Sequence, residues 1–482
     1  MSDTCNEEQA PVSPEDPGRL SRRRFLRTAG LGVAAAGLAP WLLPAVAERR
    51  PGREGAPAPV TPAAWAPDKP LPHGPTVPSH VMLTWTGDPA RTQTISWRSD
   101  IRAAAGTVLF QAGGDLTGAA DSAAASASEL TTDLGTSRLF SATLTGLAPG
   151  TQYTYRVGEG AWWSEKHTFT TADPSAAGFS FLIFGDSQSG SPEAIYEPWA
   201  RTVHNAYRAY PESKFVMNMG DLVEIGQTGA HWEGWFAGAQ GVIDTIPEMA
   251  VPGNHETYPL AVDPADPEHK KWLSSQPEFF LKQFPLPQNG PAGLRGQVYS
   301  FDYGPVHFVV LDSQQDEEEG STLELQKPWL EADLAASRAP WKLAFMHKTP
   351  YDLKAHRANP LVKAAFCPIF DKYHVDVAFT AHDHGLARTY ALNNDQAVAR
   401  PSQGTIYYVT GRSGRKVYPD LSKKRLNTWF FDPQDQPVYL AVSVAGNTLT
   451  VKSVKQEGTV LDTFSLDKAA DTDSDAGVAL PV

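Results

Sequence analysis

Five short motifs in this chain carry side chains that bind hard cations: Gly185-Asp186, Gly220-Asp221, Gly253-Asn254-His255-Glu256, His347, and His382-Asp383-His384. Singly each is weak, because Gly-Asp ends many strands as a plain turn and a lone His is usually a satisfied polar residue. Their order is more specific. Two metal ions about 3.5–4 Å apart need one shared carboxylate and a shell of oxygen and imidazole donors. The set supplies both, and such a pair can activate water against a phosphate ester.

The elements that must position these groups follow from texture. Phe179 to Phe184, Lys214 to Met219, Met249 to Val251, Lys342 to Phe345 and Val375 to Thr380 read as buried strands, each stopping at a motif. Open α/β sheets place ligands just past strand ends. Ser191-Pro192 reads as a helix start, with Ile195, Trp199, Ala206 and Tyr210 along one packed face. Val306 to Leu311 and Thr405 to Val409 are further strands without ligands. Residues 76–172 instead show short alternating strands with turns, as in a β-sandwich. Within them, residues 111–136 are rich in Gly, Ala and Ser and read as a mobile loop. The catalytic region is expected over 173–436, strands packing on it over 437–467, and a disordered tail over 468–482.

With these residues in view, residues 76–466 resemble a bacterial purple-acid-phosphatase-like metallophosphoesterase. Tyr299-Ser300-Phe301-Asp302-Tyr303-Gly304, the following Val306–Ser313 run and Met346-His347-Lys348-Thr349-Pro350-Tyr351 share that look. Leu147 to Tyr153 resembles the turn and tyrosine of a fibronectin type III domain. The resemblance implies an α/β fold: a four-layer core of two mixed sheets flanked by helices, behind an all-β fibronectin-like sandwich. It implies two metal ions (iron, manganese or zinc). Asp221 would bridge them, Asp186 and His384 would hold the first, and Asn254, His347 and His382 the second. Purple enzymes carry a Tyr three residues after the bridging Asp, where this chain has Glu224. Others carry a His where it has Gln188. The first site is thus left with Gln188, Glu224 or water, Gln188 being preferred. The resemblance makes His255 the donor of a proton to the leaving oxygen, against a supporting role paired with Glu256. It makes His356 a phosphate contact. Arg388 and the acidic run Asp316–Glu319 read as solvated charge.

The implied reaction is hydrolysis of phosphate monoesters by metal-bound hydroxide. A phosphodiesterase or nucleotidase could use the same site, and a secreted binding protein with an inert metal site is the reading of another class. The net charge of −13 argues against a nucleic-acid or membrane surface and leaves a small phosphorylated substrate as the expected partner. Oligomeric state is open. Residues 1–47 hold five Arg and five acids, so the charge lies in the rest. Ser21-Arg22-Arg23-Arg24-Phe25-Leu26-Arg27 resembles a twin-arginine export signal. The apolar run Thr28–Leu43 and Ala45-Val46-Ala47 complete a cleavable leader with no permanent span. The protein is therefore expected outside the cytoplasm, secreted, periplasmic or at the envelope, after a Pro-rich linker over 48–75. Its two cysteines, one in the leader, leave no internal disulfide. N-terminal sequencing of the exported protein checks the leader: a first residue at or near 48 is expected, and an intact Met1 would refute it.

Overall fold

The computed structural model describes residues 76–118, 120–257, 276–314 and 321–481. The leader, the linker and the acidic run Asp316–Glu319 lie outside them. Residues 79–170 form an antiparallel sandwich. One sheet has the order Ser79–Thr84, Gln93–Asp100, Gly135–Leu144, Ser126–Thr132. The other is built on Asp121–Ala124, Thr107–Ala112 and Gln152–Glu159. Val81, Leu83, Trp97, Phe140, Tyr155 and Phe169 fill the space between them. The tyrosine hydroxyl of Tyr153 accepts the Ala148 N–H at 2.9 Å, which closes the turn. The loop expected over 111–136 is largely strand. Asp121–Ala124 and Ser126–Thr132 pair with neighbours in both sheets. Small Ala and Ser side chains on exposed edge strands gave composition, but no alternation, to read.

The second region packs two mixed sheets face to face. In the first, Glu248–Ala250, Val216–Asn218 and Gly178–Phe184 run parallel, and Val438–Ala445 joins them antiparallel. The strands of the 437–467 segment continue this sheet outward from the free side of Gly178–Phe184. In the second, Val306–Val310, Trp341–Lys348, Val377–Ala381 and Thr405–Thr410 run parallel. Phe181 and Phe215 from one side meet Phe308 from the other with ring centroids 5.5 Å apart, and Phe215 meets Phe301 at 6.0 Å. Such aromatic pairs add about 0.5–1.5 kcal/mol each beyond their buried area. Helices Glu197–Ala209 and Gly229–Ala239 cover the first sheet; Ser321–Ala336 and Pro360–Tyr373 cover the second. The first of these starts at Glu197, with Pro198 in its first turn, later than Ser191-Pro192 suggested. Ser191 instead folds onto its own neighbours Ser189 and Glu193. Trp199 and Ala206 are buried as expected, while Ile195 is exposed. Among the described residues no helix is long and apolar enough to cross a membrane.

The C-terminus also departs from expectation. Arg388 is 2% exposed and clamps it. Its guanidinium donates to both oxygens of Asp475 at 2.8 Å and to Asp462 at 2.7 Å. Thr472–Asp473 adds a last strand to the first sheet. The segment read as a disordered tail is thus ordered through residue 481, and the Arg388 charge is paired rather than solvated. Its partners lie more than seventy residues away, so local pattern could not reveal them.

His307 ties the second sheet to its helix. Its Nδ1 meets Asp302 at 2.7 Å and its Nε2 meets Asp333 at 2.8 Å. Burial opposes its charge, but hydrogen bonds to both carboxylates raise its pKa to about 9. A raised histidine stabilises the fold fully below its unfolded pKa and loses that effect as pH rises through the folded one. His307→Gln should therefore cost about 1.5–3 kcal/mol at pH 6, the worth of hydrogen bonds to charged groups. The difference should shrink steadily between pH 6.5 and 9. Urea unfolding of both proteins across that range checks it.

Candidate metal centre

The motifs converge because their strands end on one edge of the paired sheets. Asp186 follows Gly178–Phe184, Asp221 follows Val216–Asn218, and Asn254 follows Glu248–Ala250. His347 ends its own strand, and His382 follows Val377–Ala381. Asp186, Asp221, His382 and His384 all sit at positive φ, from 48 to 71°. That conformation is uncommon for residues with a side chain and recurs at functional turns. It turns each side chain back toward one point. The glycines fit the same tight packing. Gly220 has φ 85°, and a Cβ on Gly253 would lie 2.1 Å from the Asp221 nitrogen.

Asp221 is the hub. Its Oδ1 accepts the His255 N–H at 2.9 Å, and its own N–H donates to Glu256 Oε2 at 2.9 Å. Oδ2 lies 3.2 Å from His347 Nε2. Around that nitrogen stand Asn254 Oδ1 at 3.2 Å and His382 Nδ1 at 3.1 Å. Donor–donor spacings of this size are those of atoms about 2.0–2.2 Å from one cation. His347 Nδ1 donates to Met219 O at 2.7 Å, which leaves Nε2 as its ligand atom.

A second group of donors lies on the other side of Asp221. Asp186 Oδ2 accepts the His382 N–H at 3.0 Å, whereas Oδ1 is buried without a hydrogen bond. Oδ1 lies 3.3 Å from His384 Nε2, and His384 Nδ1 donates to Lys416 O at 2.9 Å. The Gln188 amide is satisfied when its nitrogen donates to Asp186 O at 3.0 Å and Asp221 O at 3.2 Å. Its oxygen then occupies the place 3.4 Å from both Asp221 Oδ2 and His384 Nε2. An orphaned carboxylate oxygen, an imidazole nitrogen and an amide oxygen thus face one point, with Asp221 Oδ2 common to both groups. The residues present fit two cations.

Electrostatics agree. Burial disfavours ionised Asp221, yet His347 and His255 hold its carboxyl well below the usual range. Burial and the neighbouring Arg357 keep His382 neutral, the state that binds metal. Burial, with Asp221 nearby, pushes Glu256 up to about 8. Glu256 accepts N–H groups from Asp221, Gly253 and Val223 and so ties the two turns together, instead of pairing with His255.

His255 Nδ1 points to Glu224 O at 2.5 Å, and its Nε2 lies 3.7 Å from Asp221 Oδ2. The Glu224 carboxylate accepts the Gly190 N–H at 2.9 Å and lies 3.7 Å from Lys416 Nζ. Its Oε1 also lies 3.9 Å from His255 Nδ1. His356 is exposed on its turn at φ 59°, and its neighbour Arg357 reaches inward, donating to His382 O at 2.9 Å. Sequence reasoning missed Arg357, Lys416 and Tyr418. The only local signal for the last two was Gly411-Arg412-Ser413-Gly414 directly past a strand end, where Ser413 N and Gly414 N bond Gly185 O and Asp186 O.

Residues 78–171 match the model of the purple acid phosphatase N-terminal domain, and residues 179–386 that of the calcineurin-like phosphoesterases. "Probable inactive purple acid phosphatase 27" of Arabidopsis thaliana is 25% identical over 68% of this chain and 57% of its own length. "Acid phosphatase type 7" of Mus musculus is 25% identical over 70% of this chain and 78% of its own. The chain spans little more than half the length of the plant relatives it matches. The solved purple acid phosphatase from yellow lupin seeds superposes with a TM-score of 0.68 at 18% identity, covering 82% of this chain and 75% of that one. It shares the fold expected from sequence: sandwich first, then the two-sheet α/β core.

Gln188→Ala should lower the metal content of the loaded, dialysed protein from two ions per chain toward one. Gln188→Glu, which keeps an oxygen in place, should restore it. Elemental analysis reads both, and two ions retained in the alanine variant would exclude Gln188 as a ligand.

Proposed function

We propose that the chain is a purple-acid-phosphatase-like metallophosphoesterase that hydrolyses phosphate monoesters of small molecules outside the cytoplasm. The observation that carries this reading is the double reach of Asp221 Oδ2, toward His347 on one side and, on the other, toward the Gln188 amide, which itself lies 3.4 Å from His384. Among relatives, some names say acid phosphatase and others inactive. The complete donor set favours activity here. The Glu224 position and the place of Tyr196 favour a colourless centre, since Tyr196 hydroxyl is held by His231 Nδ1 and the Glu224 N–H.

Bound cations of this kind supply an acidified water and a clamp on the phosphoryl oxygens. The chain's own residues do the rest. Asp186, Asp221, Asn254 and the three histidines fix where the phosphoryl group sits. His255 is anchored through Nδ1 on Glu224 O, so Nε2 is the atom that can pass a proton to the departing oxygen. His356, on its exposed turn, is the proposed contact to a phosphoryl oxygen.

General-acid help is worth about 10²–10⁴ in rate and matters most for poor leaving groups. His255→Ala should cripple hydrolysis of alkyl phosphates by about that factor while sparing nitrophenyl phosphate, with metal content unchanged. His356→Ala should slow both esters alike. Parallel steady-state kinetics separate the roles. Equal losses for both esters in the His255 variant would leave that residue a purely supporting one.

A further inference from the structure

Three cations gather around one aromatic ring beside the metal centre. The Tyr418 ring packs on His384, with ring centroids 4.3 Å apart. Lys354 Nζ lies 3.9 Å from the centre of the Tyr418 ring, Arg357 Cζ 5.2 Å and Lys416 Nζ 5.8 Å. The two ammonium groups are therefore no more than about 10 Å apart. At that spacing like charges still repel near a protein surface. The ring faces offset part of this. Asp383 Oδ1 accepts from Arg357 at 2.7 Å, and Glu224 Oε1 lies 3.7 Å from Lys416. The arrangement stands out in a chain of net charge −13.

Its placement gives it meaning. Arg357 touches the backbone of His382, and Lys416 Nζ lies 3.2 Å from His255 Nε2. The arc thus begins at the atom placed to protonate the leaving group and runs around the His-x-His turn. Lys354 is nearly buried, and the Arg357 and Lys416 side chains are less than a quarter exposed. Charges held this far from water bind an anion more strongly than surface lysines do.

We infer that Lys354, Arg357 and Lys416, grouped on Tyr418, form an anion subsite on the leaving-group side, so the substrate is a phosphate ester whose alcohol carries a second anionic group. The class comprises phosphorylated hydroxy acids and bisphosphates. This rests on the phosphoester reading above and deepens it. A simple alkyl phosphate leaves the arc unused.

The test uses two phosphonates, whose carbon–phosphorus bond ester hydrolysis does not cleave: 3-phosphonopropionate and propylphosphonate. They share the metal-binding head and differ in a carboxylate. Calorimetry on the full-length, metal-loaded protein should show the carboxylate compound binding at least about tenfold more tightly, since charge-assisted hydrogen bonds are worth about 1.5–3 kcal/mol. The preference should fall as salt rises. Lys354→Gln and Lys416→Gln should each reduce the ratio toward one. Arg357→Gln breaks a buried ion pair, so the two lysine variants carry the test if it fails to fold. Equal affinities in the unaltered protein, a ratio indifferent to both lysine variants, or binding of neither compound would each overturn the subsite. A strong preference in a protein that hydrolyses no phosphate ester would keep the subsite and reject the enzymatic reading.

Discussion

The structure turns on where one carboxylate is held. Asp221 must offer Oδ2 to two groups of donors at once while its Oδ1 and its N–H stay occupied. The His255 N–H and Glu256 Oε2 do that from the neighbouring strand end. Glu256 also takes the Gly253 N–H at 2.7 Å, so one side chain locks the Asp221 and Asn254 turns to each other. Little room exists for any other arrangement. A side chain at Gly253 would collide with Asp221, and one at Gly220 with Gly253 and the His347 ring. Close backbone approach, more than any single ligand, explains why a glycine precedes Asp186, Asp221 and Asn254.

Support for these turns comes from behind the first sheet. Trp235 Nε1 donates to Ser187 Oγ at 3.0 Å, and Ser187 Oγ donates to Leu222 O at 3.1 Å. Trp232 Nε1 holds Gly226 O at 2.8 Å. Both tryptophans belong to helix Gly229–Ala239, whose first N–H is taken by Asp133 from the sandwich. Tyr155 hydroxyl donates to Asp244 O, and His80 stacks on Phe236 at 4.4 Å. The front domain is therefore braced against the helix that steadies two metal-binding turns. His80, His167 and His231, which carried no motif, have their work here: His167 faces Asp244 at 3.3 Å, and His231 meets Tyr196.

What could be read from sequence was whatever strand ends and residue chemistry encode locally. Buried runs stopping at Gly-Asp or Gly-Asn located the ligands, and the Tyr153 corner located the sandwich. Long-range polar contacts were invisible: the Arg388–Asp475 ion pair and the Lys416–His255 hydrogen bond join residues far apart in the chain. The Ala- and Ser-rich strands at 121–132 were missed because exposed edge strands lack an apolar face. Gln188 was preferred over Glu224 from the sequence. The contacts that bear on that preference, the carbonyls around the Gln188 nitrogen and the Gly190 N–H that the Glu224 carboxylate accepts, come from separate loops.

In the proposed function a shared Asp221 carboxylate builds a two-metal hydrolytic site. Metal content and phosphate release, measured together on the reconstituted protein and its Asp221→Asn variant, address it most directly. Two ions per chain and ester hydrolysis are expected of the unaltered protein. The variant should lose metal, activity and thermal stability together, because metal binds only the folded state. A variant that retained two ions and full activity would contradict it.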